Sequence, residues 1–185
     1  GTVVDMPFLR RICAPKGIRI LEDAAHALGA AYTYKGKTFK VGSAAHSDAV
    51  MLSFHPIKQM TTGEGGAVLT NDKGLYEKLL RLRHHGIVKG PQETCEALRP
   101  YAQESWFYDI PEIGYNFRLT DMQSALGFSQ LKRLDSFVNT RRQLVRKYNQ
   151  AFKSIQQLGL PFERQGSLGS YHLYPIRVPA GQRAN

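Results

Sequence analysis

At 185 residues, the chain is long enough for one domain with a full hydrophobic core and part of a second domain. No apolar run approaches the roughly 18 residues that a membrane span requires, and no charged-then-apolar leader is visible, so we expect a cytoplasmic protein without a membrane partner. The net charge of +10 favours anionic partners, either nucleic acid or phosphorylated small molecules. Cys13 and Cys95 lack metal-binding spacing and are predicted to be reduced.

The densest group of basic residues lies between positions 141 and 147 and comprises Arg141, Arg142, Arg146 and Lys147. Because this group falls in an amphipathic helical pattern, a solvated helix face is favoured over an anion-binding patch. Zinc-finger spacing and the aromatic motif of RNA-binding domains are both missing from the sequence. We therefore do not predict a nucleic-acid partner.

The first elements follow an α/β pattern. Asp5 is predicted to cap a short helix, and residues 18–21 form a strand that ends in Glu22 and Asp23. In open α/β sheets, ligands bind beyond the carboxyl ends of the strands, which makes Asp23 a candidate ligand contact; the alternative is a helix cap. His26 follows at one-turn spacing and is either a second contact or an ordinary packed histidine.

A candidate nucleophile lies between two predicted strands. Residues 30–41 read as a hairpin, and residues 49–54 form a short, mostly apolar strand. Lys58 follows this strand, and the glycine-rich turn at 63–66 leads into a second strand at 67–70. A lysine desolvated at a strand end loses affinity for its proton and can form imines, although a solvated loop lysine is the alternative.

The next region combines a helix with a long irregular connection. Asn71 or Asp72 is predicted to cap a helix that reaches Arg83. His84 and His85 follow it, and because they are adjacent on the helix they cannot bind one metal ion together. We predict no metal site. Residues 87–113 form an irregular loop, which is either a lid or binding loop or a packed loop.

The last third of the chain is predicted to contain two helices and a strand. A capping-box pattern at 120–123 opens the first helix, whose inward face is formed by Met122, Ala125, Leu126, Leu131 and Leu134. The second helix spans 136–157, with an apolar stripe of Phe137, Leu144, Tyr148, Phe152 and Ile155. Residues 173–178 are predicted to form an edge strand, since Pro175 lacks a ladder donor.

Five stretches together resemble one family, and they cover nearly the whole chain in order. They are EDAAHALGA (22–30), SFHPIK (53–58), TGEGG (62–66), RHHG (83–86) and GYNFRLTD (114–121). This combination resembles the DegT/DnrJ/StrS sugar aminotransferases, which use pyridoxal 5′-phosphate (PLP) on the aspartate-aminotransferase fold. Within that family, the chain is most similar to enzymes that act on a UDP-linked 4-keto-6-deoxy amino sugar.

The resemblance implies an α/β fold of type I among PLP-dependent transferases. Residues 1–116 match the later part of the large PLP-binding domain, and residues 117–185 match the start of the small C-terminal domain. The family's phosphate-binding turn and its ring-stacking aromatic lie upstream of Gly1. We therefore expect roughly half of a family member to be present, and expect this portion alone to bind PLP poorly and to be inactive.

The resemblance also implies a role for each candidate site residue. Lys58 matches the lysine that holds PLP as a Schiff base, and Asp23 matches the carboxylate that pairs with the pyridinium nitrogen. His26 falls near the cofactor's 3′-oxygen, and Ser53 falls at its phosphate. Asn116 matches the residue that the partner subunit of a homodimer contributes to the same phosphate.

The implied function is transfer of an amino group, with glutamate as donor, to a nucleotide-linked keto sugar. Some relatives carry histidine at the lysine position and dehydrate the sugar, so Lys58 favours amino transfer. Two alternatives stay open from the sequence: a non-catalytic basic α/β binding module, supported by charge alone, and a regulatory protein that keeps the PLP fold.

Overall fold

The computed structural model describes residues 2–182, which form two compact units. One unit contains the described residues of 1–69 and 121–185, and the other contains residues 70–120. In chain order the α-helices and strands are α1 (Met6–Cys13), β1 (Leu21–Asp23), β2 (Ala31–Tyr34), β3 (Lys37–Lys40), β4 (Ala49–Ser53), β5 (Gly66–Leu69), α2 (Lys73–Arg83), α3 (Asp121–Leu131), α4 (Leu134–Phe152) and β6 (Ser167–Leu168), and short 3-10 helices lie at Ala14–Lys16 and Glu96–Tyr101. None of the helices within residues 2–182 has the length and apolarity needed to cross a membrane.

Two three-stranded sheets form the first unit, in the orders β1-β4-β5 and β3-β2-β6. In the first sheet, β4 runs parallel to β1 and antiparallel to β5. β2 and β3 form the predicted hairpin, in which both turn residues, Lys35 and Gly36, have positive φ, as a two-residue hairpin turn requires. The α/β class and the strands on either side of Lys58 are thereby confirmed.

The first strand lies three residues later than predicted, at Leu21–Asp23 instead of 18–21. The reason is that Asp48 binds the backbone just before it: the Asp48 carboxylate accepts from Ile20 N at 2.7 Å, and Ile20 O accepts from Asp48 N at 2.9 Å. Regular pairing begins only at Leu21, opposite Ala49. Asp23 is consequently the last residue of the strand.

The predicted strand at 173–178 is wrong. Its backbone forms one isolated bridge, between Gly159 and Arg177, and the strand observed in this part of the chain is β6, which pairs with β2. Pro175 has no amide donor, which prevents a continuous ladder through this segment.

The inward faces predicted for the two late helices are wrong at most positions, although Leu134 is buried as predicted. On α3, Met122 is 83% exposed and Leu126 is 41% exposed, whereas Gly127 is buried. On α4 the buried residues are Leu134, Val138 and Val145, and the predicted stripe is largely exposed at Leu144, Tyr148 and Ile155. Apolar spacing identified the helices correctly, but the contacts with the rest of the unit select a different face.

The interpretation of the basic cluster as a solvated face is wrong for two of its members. The Arg142 guanidinium donates to Gly169 O at 2.8 Å and to Gly29 O at 3.1 Å. Arg141 donates to the carbonyls of Tyr171 and His172 at 3.3 and 3.4 Å. Both arginines therefore bind backbone carbonyls that lie far from α4 in sequence.

Gly29 lets the loop after β1 approach α4. Its φ is +83°, and a Cβ at this position would lie 2.7 Å from Val138 Cγ2. Val138 belongs to a small buried cluster with Met60 and Leu134, against which Leu28 and Phe54 pack. The loops that follow β1 and β4 are therefore anchored on the same helix.

The second unit consists of α2 and the long connection that follows it. The Asp72 carboxylate caps α2 by accepting from Leu75 N at 3.0 Å, as predicted. Within 87–113, residues Val88 and Asp109 pair, Phe107 is 9% exposed, and Arg81 forms ion pairs with two glutamates, Glu93 and Glu112. These contacts favour the packed-loop alternative over a free lid.

Asp48 ties α1 to the start of the first sheet. Its side chain is 14% exposed, and it binds Arg10 at 3.1 Å, Arg19 at 2.9 Å and the Ile20 amide at 2.7 Å. The hydrogen bond from the Ile20 amide, followed by the one from Arg19, holds the pKa of Asp48 below its ordinary value.

We expect Asp48→Ala to lower the free energy of unfolding of the full-length protein by about 1.5–3 kcal/mol, the range for hydrogen bonds to a charged group. Because the folded-state pKa is lowered, this contribution is present above pH of about 3.9 and is lost as the pH falls through the folded-state value. Chemical denaturation at several pH values measures both effects. Glu104→Gln, at an exposed carboxylate, is the control; equal losses in the two variants would contradict the assignment.

Candidate functional site

Two candidate site residues lie at the same edge of the first sheet. Asp23 ends β1 and pairs with Met51, and Ser53 ends β4 two residues later. Because β1 and β4 are parallel, both carboxyl ends meet at this edge. This is the position at which open α/β sheets bind ligands.

Asp23 has one carboxylate oxygen available to an outside donor. Its Oδ1 accepts from Ala25 N at 3.0 Å, which closes a tight turn. Within residues 2–182, Oδ2 forms no hydrogen bond, and the side chain is exposed. Residues 25–29 form a turn, so Asp23 is not the cap of a regular helix.

Lys58 lies in a loop whose backbone is firmly held. Lys58 N donates to His55 O at 3.0 Å, and Phe54 O accepts from Thr61 Oγ1 and Thr62 N, both at 3.0 Å. The lysine side chain is half-buried, and no carboxylate of the described residues pairs with its amine. The amine of Lys58 is therefore not neutralised by a carboxylate of the described residues.

The glycines after this loop allow β5 to return closely along β4. A Cβ at Gly66 would lie 2.7 Å from Leu52 O, which only glycine avoids. Gln123 in the first turn of α3 donates to Glu64 O at 3.0 Å and fixes the turn from the other side. The predicted role of the glycine-rich turn, to bring the chain back next to the lysine loop, is consistent with this geometry.

The charges of Lys58 and Asp23 both act on the imidazole of His26. The pKa of His26 is lowered, first by desolvation and then by the Lys58 ammonium, whereas the Asp23 carboxylate opposes the shift. Although His26 is exposed overall, its ring packs against His172 with centroids 4.2 Å apart. Lys58, Asp23 and His26 therefore share one neighbourhood of this unit.

Three further residues of this neighbourhood were missed in the sequence: Gln59, Ser170 and His172. Gln59 Nε2 donates to His26 O at 2.6 Å and to Ser170 Oγ at 3.0 Å. Burial lowers the pKa of His172 to about 4, so its imidazole is neutral near pH 7. Gln59 follows Lys58 directly, but no local sequence pattern predicts its contact with Ser170, more than a hundred positions away.

A cavity of about 520 Å³ lies beside His26. Its walls combine apolar and polar side chains, which include Leu160, Phe162, Glu163, Tyr171 and Arg177. This volume falls within the range of small-molecule sites in proteins.

Asn116 lies in the second compact unit. Its backbone bridges to His84, and its side-chain oxygen accepts from Arg118 Nε at 3.4 Å. Its side chain is exposed. The proposed role of Asn116 in a partner's site stays a prediction.

Comparisons with known proteins identify the family. The family model described as the DegT/DnrJ/EryC1/StrS aminotransferase family matches residues 1–185. A UDP-4-amino-4,6-dideoxy-N-acetyl-beta-L-altrosamine transaminase of Campylobacter jejuni is 39% identical over 176 residues, covering 95% of this chain and 42% of the relative. An uncharacterised Methanocaldococcus jannaschii protein is 36% identical, with 96% and 43% covered. The chain thus spans less than half the length of these relatives.

Solved structures agree with the sequence comparison. Helicobacter pylori PseC, an aminotransferase involved in the biosynthesis of pseudoaminic acid, superposes with a TM-score of 0.81 at 34% identity, covering 96% of this chain and 43% of PseC. The structure of S. venezuelae DesV in complex with a ketimine intermediate superposes with a TM-score of 0.76 at 30% identity, covering 95% of this chain and 42% of DesV. The predicted fold and the predicted resemblance are confirmed: the chain belongs to the DegT/DnrJ/EryC1/StrS aminotransferase family.

Proposed function

We propose that the whole protein is a PLP-dependent aminotransferase that moves an amino group from glutamate to a nucleotide-linked keto sugar, with a 4-keto-6-deoxy sugar as the favoured acceptor. The observation that carries this proposal is the shared neighbourhood of Lys58, Asp23 and His26 at the carboxyl edge of parallel strands. The names of the Campylobacter transaminase and of PseC support an acceptor of this class.

The described residues fit the cofactor chemically. Lys58 offers an amine without an internal carboxylate partner, which suits a covalent link to the cofactor's aldehyde. Asp23 offers the free oxygen Oδ2, which suits a protonated pyridine nitrogen. When bound, PLP supplies an electron sink for the carbon that loses its proton, and Asp23 sustains that property by keeping the ring nitrogen protonated.

Lys58 has a second role, in proton transfer, and three further residues orient the cofactor. The Lys58 amine would act as general base and acid at the substrate carbon, a role that suits an amine without a carboxylate partner among the described residues. His26 would bind PLP beside its 3′-oxygen, and the Ser53 hydroxyl would bind its phosphate. Asn116 of a second copy completes the phosphate site, so we propose a homodimer with shared active sites.

The remaining parts of the proposal concern architecture and location. We propose that residues 1–116 belong to the large domain and 117–185 to the small domain of the longer protein. A cytoplasmic location agrees with two free cysteines, Cys13 and Cys95, which form no disulfide in the structure.

A non-catalytic binding module is the rival proposal, and it depends on charge alone. That support is weakened because Arg141 and Arg142 bind backbone carbonyls of the chain itself. An absorbance scan of the full-length protein after addition of PLP separates these two proposals, since only a protein with a reactive cofactor-binding lysine develops the band of lysine-bound PLP.

We expect Lys58→Ala in the full-length protein to abolish the absorbance band of lysine-bound PLP and to lower kcat by at least about 10²–10⁴-fold, the usual contribution of a general acid–base residue. Lys40→Ala, at an exposed lysine of β3, is the control and retains the band. A band of normal intensity in the Lys58 variant would exclude this residue as the anchor.

We expect Asp23→Asn to retain the PLP band but to slow amino transfer by about 10–100-fold. This is the rate equivalent of losing one hydrogen bond to a charged group. Single-turnover kinetics of the loaded enzyme measure the effect. Asp72→Asn is the matched control, because asparagine caps α2 as well as aspartate does. Wild-type turnover in Asp23→Asn would refute the pyridinium assignment.

We expect the KM for the nucleotide sugar to rise with ionic strength, because basic side chains contribute to binding of its diphosphate. Charges in water are screened beyond about 10 Å at 0.1 M salt and beyond about 3 Å at 1 M. Steady-state kinetics between these salt concentrations measure the effect, with the amino-donor half-reaction as the internal comparison. A KM that does not change with salt would contradict the role of the basic charge.

A further inference from the structure

The ring of His26 is packed against a residue from the far end of the described chain. The imidazoles of His26 and His172 lie 4.2 Å apart between centroids and are tilted by 46°. His172 is 9% exposed, whereas His26 is exposed. His172 therefore forms the protein-side wall against which the His26 ring rests.

The backbone of His26 is held by the same segment. Its carbonyl accepts from Gln59 Nε2 at 2.6 Å and from Ser170 Oγ at 3.3 Å, and Gln59 also donates to Ser170 at 3.0 Å. Gln59 is 2% exposed and Ser170 is fully buried. Both the main chain and the side chain of His26 thus depend on residues 170–172.

The segment that carries His172 is itself fixed by α4. Arg142 donates to Gly169 O at 2.8 Å, and Arg141 donates to the carbonyls of Tyr171 and His172 at 3.3 and 3.4 Å. Arg142 reaches Gly29 O in addition, at the end of the turn that contains His26. Helix α4 therefore holds both the turn that carries His26 and the segment that carries His172.

Two polar atoms of this frame are buried without a partner among residues 2–182: Nδ1 of His172 and Oε1 of Gln59. Buried polar atoms without a partner are uncommon, because each costs about 1–3 kcal/mol.

We propose that His172 is a positioning residue. By packing against the His26 ring, it holds that ring in the orientation needed to contact the cofactor. This inference rests on the proposed function of the site. Other charges around the pair act on it as well: Lys58 and Arg141 lower the pKa of His172, and Asp23 raises that of His26. A neutral His172 adds no charge beside Lys58.

The test follows the ring of His26 directly. Histidine-labelled, full-length protein without cofactor is titrated by NMR, so that the readout does not depend on catalysis. We expect His172→Ala to raise the pKa of His26 toward about 6.5, since a desolvating neighbour is lost. His172→Phe retains a ring at this position and is expected to keep the lowered value.

The second readout is the affinity for PLP in the same variants. We expect the Kd to rise about 2–10-fold in His172→Ala, the equivalent of one aromatic pair, and to recover in His172→Phe. Ile176→Ala, at an exposed side chain of the same segment, is the control and changes neither readout. If the alanine variant does not fold, His172→Leu, which retains bulk without a ring, takes its place.

The outcomes separate this inference from the proposed function. Wild-type protein that fails to bind PLP overturns the proposed function and the inference together. Wild-type binding with an unchanged pKa of His26 and an unchanged Kd in the ringless variants overturns the inference alone. A shifted pKa with an unchanged Kd also overturns it, because the ring would then be supported without any consequence for the cofactor.

Discussion

The parallel pairing of β1 with β4 is the constraint on which the rest of the site depends. The register that sets Asp23 opposite Met51 places a carboxylate and the start of the lysine loop at one edge of the sheet. A one-residue slip would turn every side chain of β1, that of Asp23 included, to the other face of the sheet. Asp48 helps to set the register, because it occupies the Ile20 amide immediately before the ladder begins.

A second constraint acts from α4. Arg142 crosses from the helix to two carbonyls, at Gly29 and Gly169, which are separated by most of the chain. Burial lowers the pKa of Arg142, but a guanidinium keeps its charge in proteins and satisfies several carbonyls at once. The basic cluster on α4 therefore has a structural use in part, and the net charge of the chain is a poor guide to its partners.

Local signals were sufficient for much of the fold. The hairpin at Lys35-Gly36, the Asp72 cap of α2 and the strands beside Lys58 were predicted because each depends on turn or capping chemistry within a few residues. The buried positions of α3 and α4 were not, because α3 carries apolar side chains on several faces and only one border of the apolar face of α4, at Leu134, Val138 and Val145, is buried. Which of them is buried depends on contacts with Met60 and Leu28, far away in sequence.

The sequence by itself determined the family, the α/β class and the candidate residues Lys58, Asp23, His26, Ser53 and Asn116, because motif residues and their order survive without any knowledge of packing. Only the tertiary structure decided that the strand leading to Asp23 begins at Leu21, that residues 173–178 do not form a strand, and that His172 packs against His26. Ring packing and carbonyl binding across more than a hundred residues arise when distant segments meet. The hydrophobic periodicity of the two segments does not predict that they contact each other.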